Sequence, residues 1–302
     1  MSRHVPYLAE EAIERDAAAL LAEFEHARWI VLEPPIPVED IVEKHLQLRI
    51  EFDDLHARHN IPRPESGQTD ILGAIYGDGS IFIDETLDPD ENPSREGRYR
   101  FTVAHELGHY RYHRHLLGNG AMIVLAEDET GAPRIHSGAE DRDLRRAEWQ
   151  ANRFASCVLV PLPQLALEWF NWMKSLRPFV FEAFANDPRW WSPSSERSAR
   201  MFRDAGVRPN KEIHDYAFDK VASELAPIFG VSTQMMRIRL ESLGLLQTGQ
   251  EIAPPPLRFG ALKLEDYKQA AIDRVCKYGW SSPGLMDSHG LEASSPARAL
   301  LS

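Results

Sequence analysis

The pattern His-Glu-Leu-Gly-His at residues 105–109 has the residue types and the spacing of a metal-dependent hydrolase. On a helix, His105 and His109 lie one turn apart on the same face. Two imidazoles in that arrangement can bind one Zn²⁺ ion, and Glu106 between them can act as a general base on a water molecule. Apolar residues recur at helical spacing around the pattern, at Phe101, Ala104 and Leu107. We therefore predict a catalytic helix over residues 98–113 that helps to bind one zinc ion per chain.

The third metal ligand has two candidates, because a catalytic zinc usually takes three protein ligands and one water. His115 follows His109 at the spacing of the pattern H-E-x-x-H-x-x-G-x-x-H, but Tyr112 stands where that pattern has its glycine turn. If the helix continues, His115 is rotated by about 240° from His109. The other candidate is Glu148, on a second predicted helix over residues 145–161.

The helix of Glu148 has a face of small and large apolar residues that suits close packing on another helix, at Ala147, Ala151, Phe154, Ala155 and Val158. Glu148 and Asn152 are four residues apart and share a face. A carboxylate there can bind metal, and the Asn152 amide oxygen can accept a proton from a ligating imidazole and fix its tautomer. For the group that stabilises an oxyanion, the candidates are Tyr112 and His113, one turn beyond His109.

Three segments together resemble the ImmA/IrrE-type zinc metallopeptidases. They are the HELGH helix preceded by a hairpin-like stretch at 71–84, the pattern Glu148-x-x-Ala151-Asn152-x-Phe154-Ala155 closed by Pro161, and a helical segment at 221–244. The resemblance covers roughly residues 10 to 247. It implies that His105, His109 and Glu148 bind the zinc and that Glu106 is the base. It also implies that the substrate is a partner protein, a co-encoded helix-turn-helix repressor of a mobile element or stress response, and hence a role in transcription regulation.

Composition narrows the class of protein. The formal net charge of −12 disfavours broad nucleic-acid binding by the whole chain. The two cysteines, Cys157 and Cys276, show no metal-binding or redox spacing and indicate a reducing cytoplasm. There is no run of 18 apolar residues and no signal-like N-terminus, so we expect a cytoplasmic protein without a membrane segment.

The predicted fold class is α+β, with a thermolysin-like minimal peptidase core. We predict this core at 1–165, an aromatic-rich segment and a helix-turn-helix-like element at 166–250, and a C-terminal extension without an assigned role at 251–302. Within the core the patterns predict helices over 8–27 and 38–45, a strand over 48–52 and a loop over 53–69. Two further strands flank Gly77-Asp78-Gly79 as a hairpin whose edge could bind an extended peptide.

The helix-turn-helix-like element over 218–243 raises a rival function. Arg237 and Arg239 on its second helix could contact phosphates, as in a metal-binding DNA-binding or sensor protein without peptidase activity. However, that helix is heavily apolar and the chain is acidic. Packing against the peptidase core is the favoured interpretation, and direct DNA binding is not expected.

Overall fold

The computed structural model describes residues 4–59, 61, 71–116, 122–123, 139–174, 177–181 and 211–248. Chain contacts group into two compact units. The first comprises Met1–Phe24, Pro34–Leu162 and Ser223–Met236, and the second comprises Glu25–Glu33, Pro163–Ala222 and Arg237–Ser302. Each unit is therefore assembled from separate stretches of the sequence. The predicted C-terminal extension, 251–302, lies outside the described residues.

The N-terminal part of the chain forms helix α1 (Glu10–Arg28) and helix α2 (Val38–Asp40), which continues as a π-helix at Ile41–His45. Both predicted helices are thus present. At the end of α1, Trp29 adopts a left-handed backbone with φ of 55°. The N–H of Ile30 donates to the carbonyl of Glu25 at 3.2 Å, which closes the helix as a Schellman-type cap.

A four-stranded sheet has the order β1-β3-β2-β4. Its strands are β1 (Arg49–Asp53), β2 (Gly73–Tyr76), β3 (Ser80–Asp84) and β4 (Met122–Ile123). Strand β3 pairs with β1 in parallel and with β2 antiparallel, and β2 also pairs antiparallel with β4. The predicted hairpin is confirmed as β2 and β3.

One part of the predicted loop 53–69 is instead a short helix, α3 (Leu55–Arg58). Asp54 caps this helix, because its side chain accepts hydrogen bonds from the backbone N–H groups of His56 and Ala57. Leu55 and Ile61 form a small buried cluster with Ala74 on one side of the sheet. The loop prediction was wrong here because the capping signal at Asp54 was not recognised in a polar stretch.

Two long helices carry the predicted site. Helix α4 (Glu96–His113) and helix α5 (Ala139–Leu159) pack against each other, and α4 also packs on β2 and β3. Strand side chains alternate between faces, and buried isoleucines occupy the face toward α4, at Ile75, Ile81 and Ile83. The α+β fold class is confirmed: one small sheet holds α4 from one side, and α5 holds it from another.

The remaining described elements are helix α6 (Leu162–Met173), strand β5 (Phe179–Val180), helix α7 (Lys211–Phe229), helix α8 (Thr233–Ser242) and strand β6 (Leu246–Gln247). Strands β5 and β6 pair in parallel. Trp169 is fully buried and donates its ring N–H to the Arg177 carbonyl at 3.1 Å, so this member of the aromatic-rich segment serves packing. Across the described residues, no helix is both long and apolar enough to cross a membrane.

The turn between α7 and α8 packs on the first turn of α4. Gly230 has a φ of +60° at this turn. Arg100 donates to the carbonyls of Gly230, at 3.2 Å, and of Ile36. A side chain at Gly97 would come within 3.1 Å of the Val231–Ser232 backbone. These contacts attach the start of the predicted catalytic helix to a turn about 130 residues further along the chain.

Candidate metal centre

Three predicted ligands meet in a buried group between α4 and α5. The Nε2 atoms of His105 and His109 are 2.8 Å apart. The Glu148 carboxylate lies 3.5 Å from His105 Nε2 and 3.0 Å from His109 Nε2. Of the residues that the structure describes, these three form a group of potential metal ligands, and all three are buried. The group is compatible with a metal site.

The spacing of the ligand atoms fits a small tetrahedral ion. Nitrogen and oxygen ligands at about 2.0–2.2 Å from zinc lie roughly 3.3–3.5 Å apart along the edges of the tetrahedron. The observed separations of 2.8–3.5 Å need shifts of a few tenths of an ångström to reach that geometry. The donor set of two imidazoles and one carboxylate is also that of a catalytic zinc with one position left for water. The residues present therefore fit the metal that the sequence predicts.

His105 is oriented by its second ring nitrogen. Its Nδ1 lies 2.8 Å from Asn152 Oδ1. The amide oxygen can only accept, so Nδ1 carries the proton and Nε2 presents its lone pair toward Glu148. Asn152 thus lies where the sequence analysis predicted, one turn after Glu148 and against the imidazole of a predicted ligand.

His109 is oriented by His113, for which the sequence analysis had proposed a different role. Its Nδ1 lies 3.0 Å from Nδ1 of His113, and Nε2 of His113 lies 2.9 Å from Gln150 Oε1. The Gln150 amide nitrogen in turn donates to the carbonyl of Pro6 at 2.7 Å. Burial and then the neighbouring His109 lower the pKa of His113 to about 4, so this ring is neutral at pH 7.

Glu106, the predicted base, is buried between α4 and strand β2. A side chain at Gly73 would place its first carbon 2.6 Å from Glu106 Oε1 and 2.6 Å from the methyl carbon of Thr102. The Glu106 carboxylate therefore occupies the space that a larger residue on β2 would fill. Glycine at position 73 is what permits this placement.

Close approach of α4 and α5 depends on Gly108, which lies between the two histidines. A Cβ atom here would be 2.9 Å from Ala151 Cα and 3.2 Å from the Ala151 carbonyl oxygen. The contact is therefore from backbone to backbone, with Ala151 supplying the small facing residue. This packing brings Glu148 within reach of both imidazoles.

The remaining predicted residues lie apart from the ligand group or serve another contact. The Tyr112 hydroxyl donates to Asp16 on α1 at 2.8 Å, and burial followed by this hydrogen bond raises the pKa of Tyr112. His113 contacts His109 through Nδ1. These contacts give no support to either side chain as an oxyanion stabiliser. His115 is exposed in the 3₁₀ turn Arg114–Leu116, which follows α4.

A protein-family model matches the part of the chain that contains the buried ligand group. Residues 65–186 match the family model described as Peptidase_M78, the IrrE N-terminal-like domain. Residues 65–186 are therefore similar to the IrrE N-terminal-like domain of the ImmA/IrrE family. The match includes β2, β3, α4 and α5, and hence every residue of the buried ligand group. This supports a metallopeptidase-type function for the domain. No curated protein and no solved structure was found to match the chain.

Four positions at or near the site were not identified from the sequence, namely Gly73, Gly108, Gln150 and Pro6. Gly108 had a usable signal, since a small residue between the two histidines faces the small Ala151 on the partner helix. Gln150 is two residues from Glu148, a spacing that does not place two side chains on one helix face. Pro6 is 144 residues from Gln150, so no local pattern could have paired them.

Proposed function

We propose that this protein is a cytoplasmic, zinc-dependent endopeptidase that makes specific cuts in a partner protein, a co-encoded helix-turn-helix repressor. The observation that carries the proposal is the buried group of His105, His109 and Glu148, with ligand atoms 2.8–3.5 Å apart and Glu106 on the same helix as both imidazoles. The family match at 65–186 supports the hydrolytic activity. The repressor as substrate rests on the family resemblance.

The chemistry divides between the ion and the protein. A bound zinc would act as a Lewis acid on the scissile carbonyl and would lower the pKa of water at the site. Glu106 accepts a proton from the attacking water and then passes it to the leaving amine. Gly73 lets the Glu106 carboxylate lie against β2, and Asn152 keeps the His105 lone pair directed at the ligand group. Burial of these side chains strengthens their electrostatic interactions.

We propose that the edge of the sheet binds the peptide substrate. Among the described residues, β4 pairs with β2 at Ile75 and Tyr76, while Gly73 and Ala74 pair with β3 on the other side. An extended peptide that adds to β2 beyond β4 would run past Gly73 and the adjacent Glu106 carboxylate. The net charge of −12 would favour a basic, DNA-binding partner and would make association sensitive to salt.

The rival function, DNA binding without hydrolysis, has less support in the α7–α8 element. Arg239 is fully buried. Arg237 donates to the carboxylates of Asp219 and Glu241 at 2.9 Å and also to Asp215. Both cations that were candidates for phosphate contacts are therefore engaged within the protein. We propose that this element serves packing.

The metal assignment is tested with two matched single variants. Purified protein should carry about one zinc per chain. Glu148→Ala should lose zinc and activity, because it removes one of three ligands, whereas His115→Ala should retain both. Metal content after dialysis and the zinc dissociation constant are the measurements. If zinc binding is lost in His115→Ala and retained in Glu148→Ala, the site belongs to the three-histidine class.

The hydrolytic step is tested separately from metal binding. Purified protein is incubated with the product of the neighbouring gene, with and without a chelator, and the products are mapped by mass spectrometry. Glu106→Gln keeps the shape of the side chain and should retain zinc, but the cleavage rate should fall by about 10²–10⁴-fold because the base is lost. Zinc binding with no cleavage by the unmodified protein, together with salt-sensitive DNA binding, would favour the rival function.

A further inference from the structure

Four groups form a continuous hydrogen-bonded chain from a predicted metal ligand to the N-terminal segment. The chain runs from His109 Nδ1 to His113 Nδ1 at 3.0 Å, from His113 Nε2 to Gln150 Oε1 at 2.9 Å, and from Gln150 Nε2 to the Pro6 carbonyl at 2.7 Å. His113 is fully buried and Gln150 is 1% exposed. Neither side chain belongs to the ligand group or to the hydrolytic step described above.

The Pro6 carbonyl, which ends the hydrogen-bonded chain, determines the direction of each hydrogen bond in it. A backbone carbonyl can only accept, so the Gln150 atom that faces Pro6 must be the amide nitrogen, and its oxygen must face His113. The amide oxygen accepts from Nε2–H of His113. A neutral imidazole has one N–H, so Nδ1 of His113 must accept, and Nδ1 of His109 must donate to it. The Nε2 atom of His109, 3.0 Å from Glu148, then presents a lone pair.

We propose that His113 and Gln150 are positioning residues that hold His109 in the tautomer able to bind metal, and that the N-terminal segment at Pro6 fixes the direction of this chain. The proposal rests on the metal binding proposed above. It assigns to Pro6, which lies outside the matched range 65–186, a part in building the metal site. Asn152 orients His105 in the same way through a single hydrogen bond.

The N-terminal segment is held on α5 by contacts that place the Pro6 carbonyl. Arg146 donates to the carbonyl of Val5. The rings of Tyr7 and Trp149 are stacked with a centroid distance of 6.4 Å and an interplanar angle of 10°. These contacts lie on either side of Pro6 in the sequence. The Pro6 carbonyl, the last acceptor of the hydrogen-bonded chain, is therefore held in place by the contacts of Val5 and Tyr7.

Two variants interrupt the hydrogen-bonded chain, and one matched variant is the control. His113→Phe removes the acceptor for His109, and Gln150→Leu removes the acceptor that fixes His113. Gln164→Leu is the control, because Gln164 also donates from its amide to a backbone carbonyl, that of Leu32 at 3.1 Å, away from the metal group. Zinc dissociation constants are measured by competition with a chelator. Both interrupting variants should bind zinc about 10- to 100-fold more weakly, and the control should match the unmodified protein.

A second measurement reports the tautomer itself. The ¹⁵N shifts of the His109 ring in metal-free, histidine-labelled protein distinguish a proton on Nδ1 from one on Nε2. We expect Nδ1–H in the unmodified protein and in Gln164→Leu, and a shift of population toward Nε2–H in Gln150→Leu. A purely structural role of Gln150 would not move this population. If His113→Phe does not fold, the comparison of Gln150→Leu with Gln164→Leu decides the question.

The anchoring role of the N-terminal segment is tested with the double variant Tyr7→Ala and Arg146→Met, which removes the side-chain contacts on both sides of Pro6. Zinc binding should weaken in the same direction as in Gln150→Leu. An unchanged zinc dissociation constant would remove the segment from the proposal. Unchanged zinc binding and an unchanged His109 tautomer in both interrupting variants would overturn it altogether. If the unmodified protein binds no zinc, the proposed function fails, while the tautomer measurement still decides on the hydrogen-bonded chain.

Discussion

Replacing Gly108 with alanine should separate α4 from α5 and thereby weaken the metal site. The added Cβ would lie 2.9 Å from Ala151 Cα. Relaxed contacts between carbon atoms are about 3.5–4.0 Å long, so the helices must move apart by about 0.6 Å or more at this point. The predicted ligands are divided between the two helices, with two imidazoles on α4 and the Glu148 carboxylate on α5. The separation therefore stretches the ligand group directly.

The magnitude follows from two opposing effects. Overpacking of this kind costs about 1–3 kcal/mol. Alanine in place of glycine within a helix gains up to about 1 kcal/mol of helix propensity. The metal-free protein should consequently lose at most about 3 kcal/mol of unfolding free energy. Metal ligands tolerate displacements of about 0.2 Å, so a 0.6 Å separation must be reversed on binding, and zinc affinity should fall about 10- to 100-fold.

The assay is a zinc competition titration combined with thermal unfolding in chelator and in zinc. Ala151→Gly alone should leave zinc affinity unchanged. Added to Gly108→Ala, it should not restore affinity, because the two nearest atoms to the new Cβ are the Cα and the carbonyl oxygen of residue 151. Zinc affinity equal to that of the unmodified protein in Gly108→Ala, or full rescue by Ala151→Gly, would refute the reasoning.

Three further predictions concern other parts of the first unit and the end of α1. Gly73→Ala should retain zinc but lower the turnover number at least tenfold, since the new methyl group displaces the Glu106 carboxylate. Normal turnover in a steady-state assay would contradict the placement of Glu106 as the base. Burial raises the pKa of Asp16, but hydrogen bonds, first that from Arg111, outweigh it and lower the pKa below its usual value. Asp16 therefore stabilises the fold above about pH 4, and this stabilisation is lost as the pH falls through the lowered pKa. With chelator present, Asp16→Asn should lower the free energy of unfolding by about 1 kcal/mol at pH 7 and by progressively less below pH 4. A loss of unfolding free energy that does not depend on pH would contradict this account. Trp29→Gly should stabilise the protein by about 1 kcal/mol in denaturant titrations, because glycine adopts the left-handed backbone without strain, whereas Trp29→Ala should not.

The sequence predicted the site to the extent that the site depends on helical periodicity. His105 and His109 were found from their spacing on one helix, and Glu148 and Asn152 from a second helix whose small residues allow close packing. The direction of each imidazole depends on tertiary contacts instead. Asn152 could be proposed because it shares a face with Glu148, but Gln150 does not share that face.

The fold shows the same division between local and distant signals. The hairpin β2–β3 follows from alternating apolar residues around Gly77-Asp78-Gly79, which is a local pattern. Helix α5 begins at Ala139, earlier than the predicted start at 145, because its first turns are polar and carry no apolar periodicity. The packing of Arg100 on the Gly230 turn joins residues 130 positions apart, and no spacing rule connects them.

The first unit is interleaved from three stretches of sequence, and this limits how the peptidase region can be divided. A fragment restricted to 65–186 would keep every predicted ligand. It would lose Asp16, which accepts hydrogen bonds from Arg111, and the turn whose Gly230 carbonyl accepts from Arg100. It would also lose the close approach of Gly97 to the Val231–Ser232 backbone and the hydrogen bond from Tyr112 to Asp16. The region recognisable by sequence similarity is therefore smaller than the smallest piece that we expect to fold alone. We therefore expect truncation at its borders to lower the stability of the region that holds the predicted ligands.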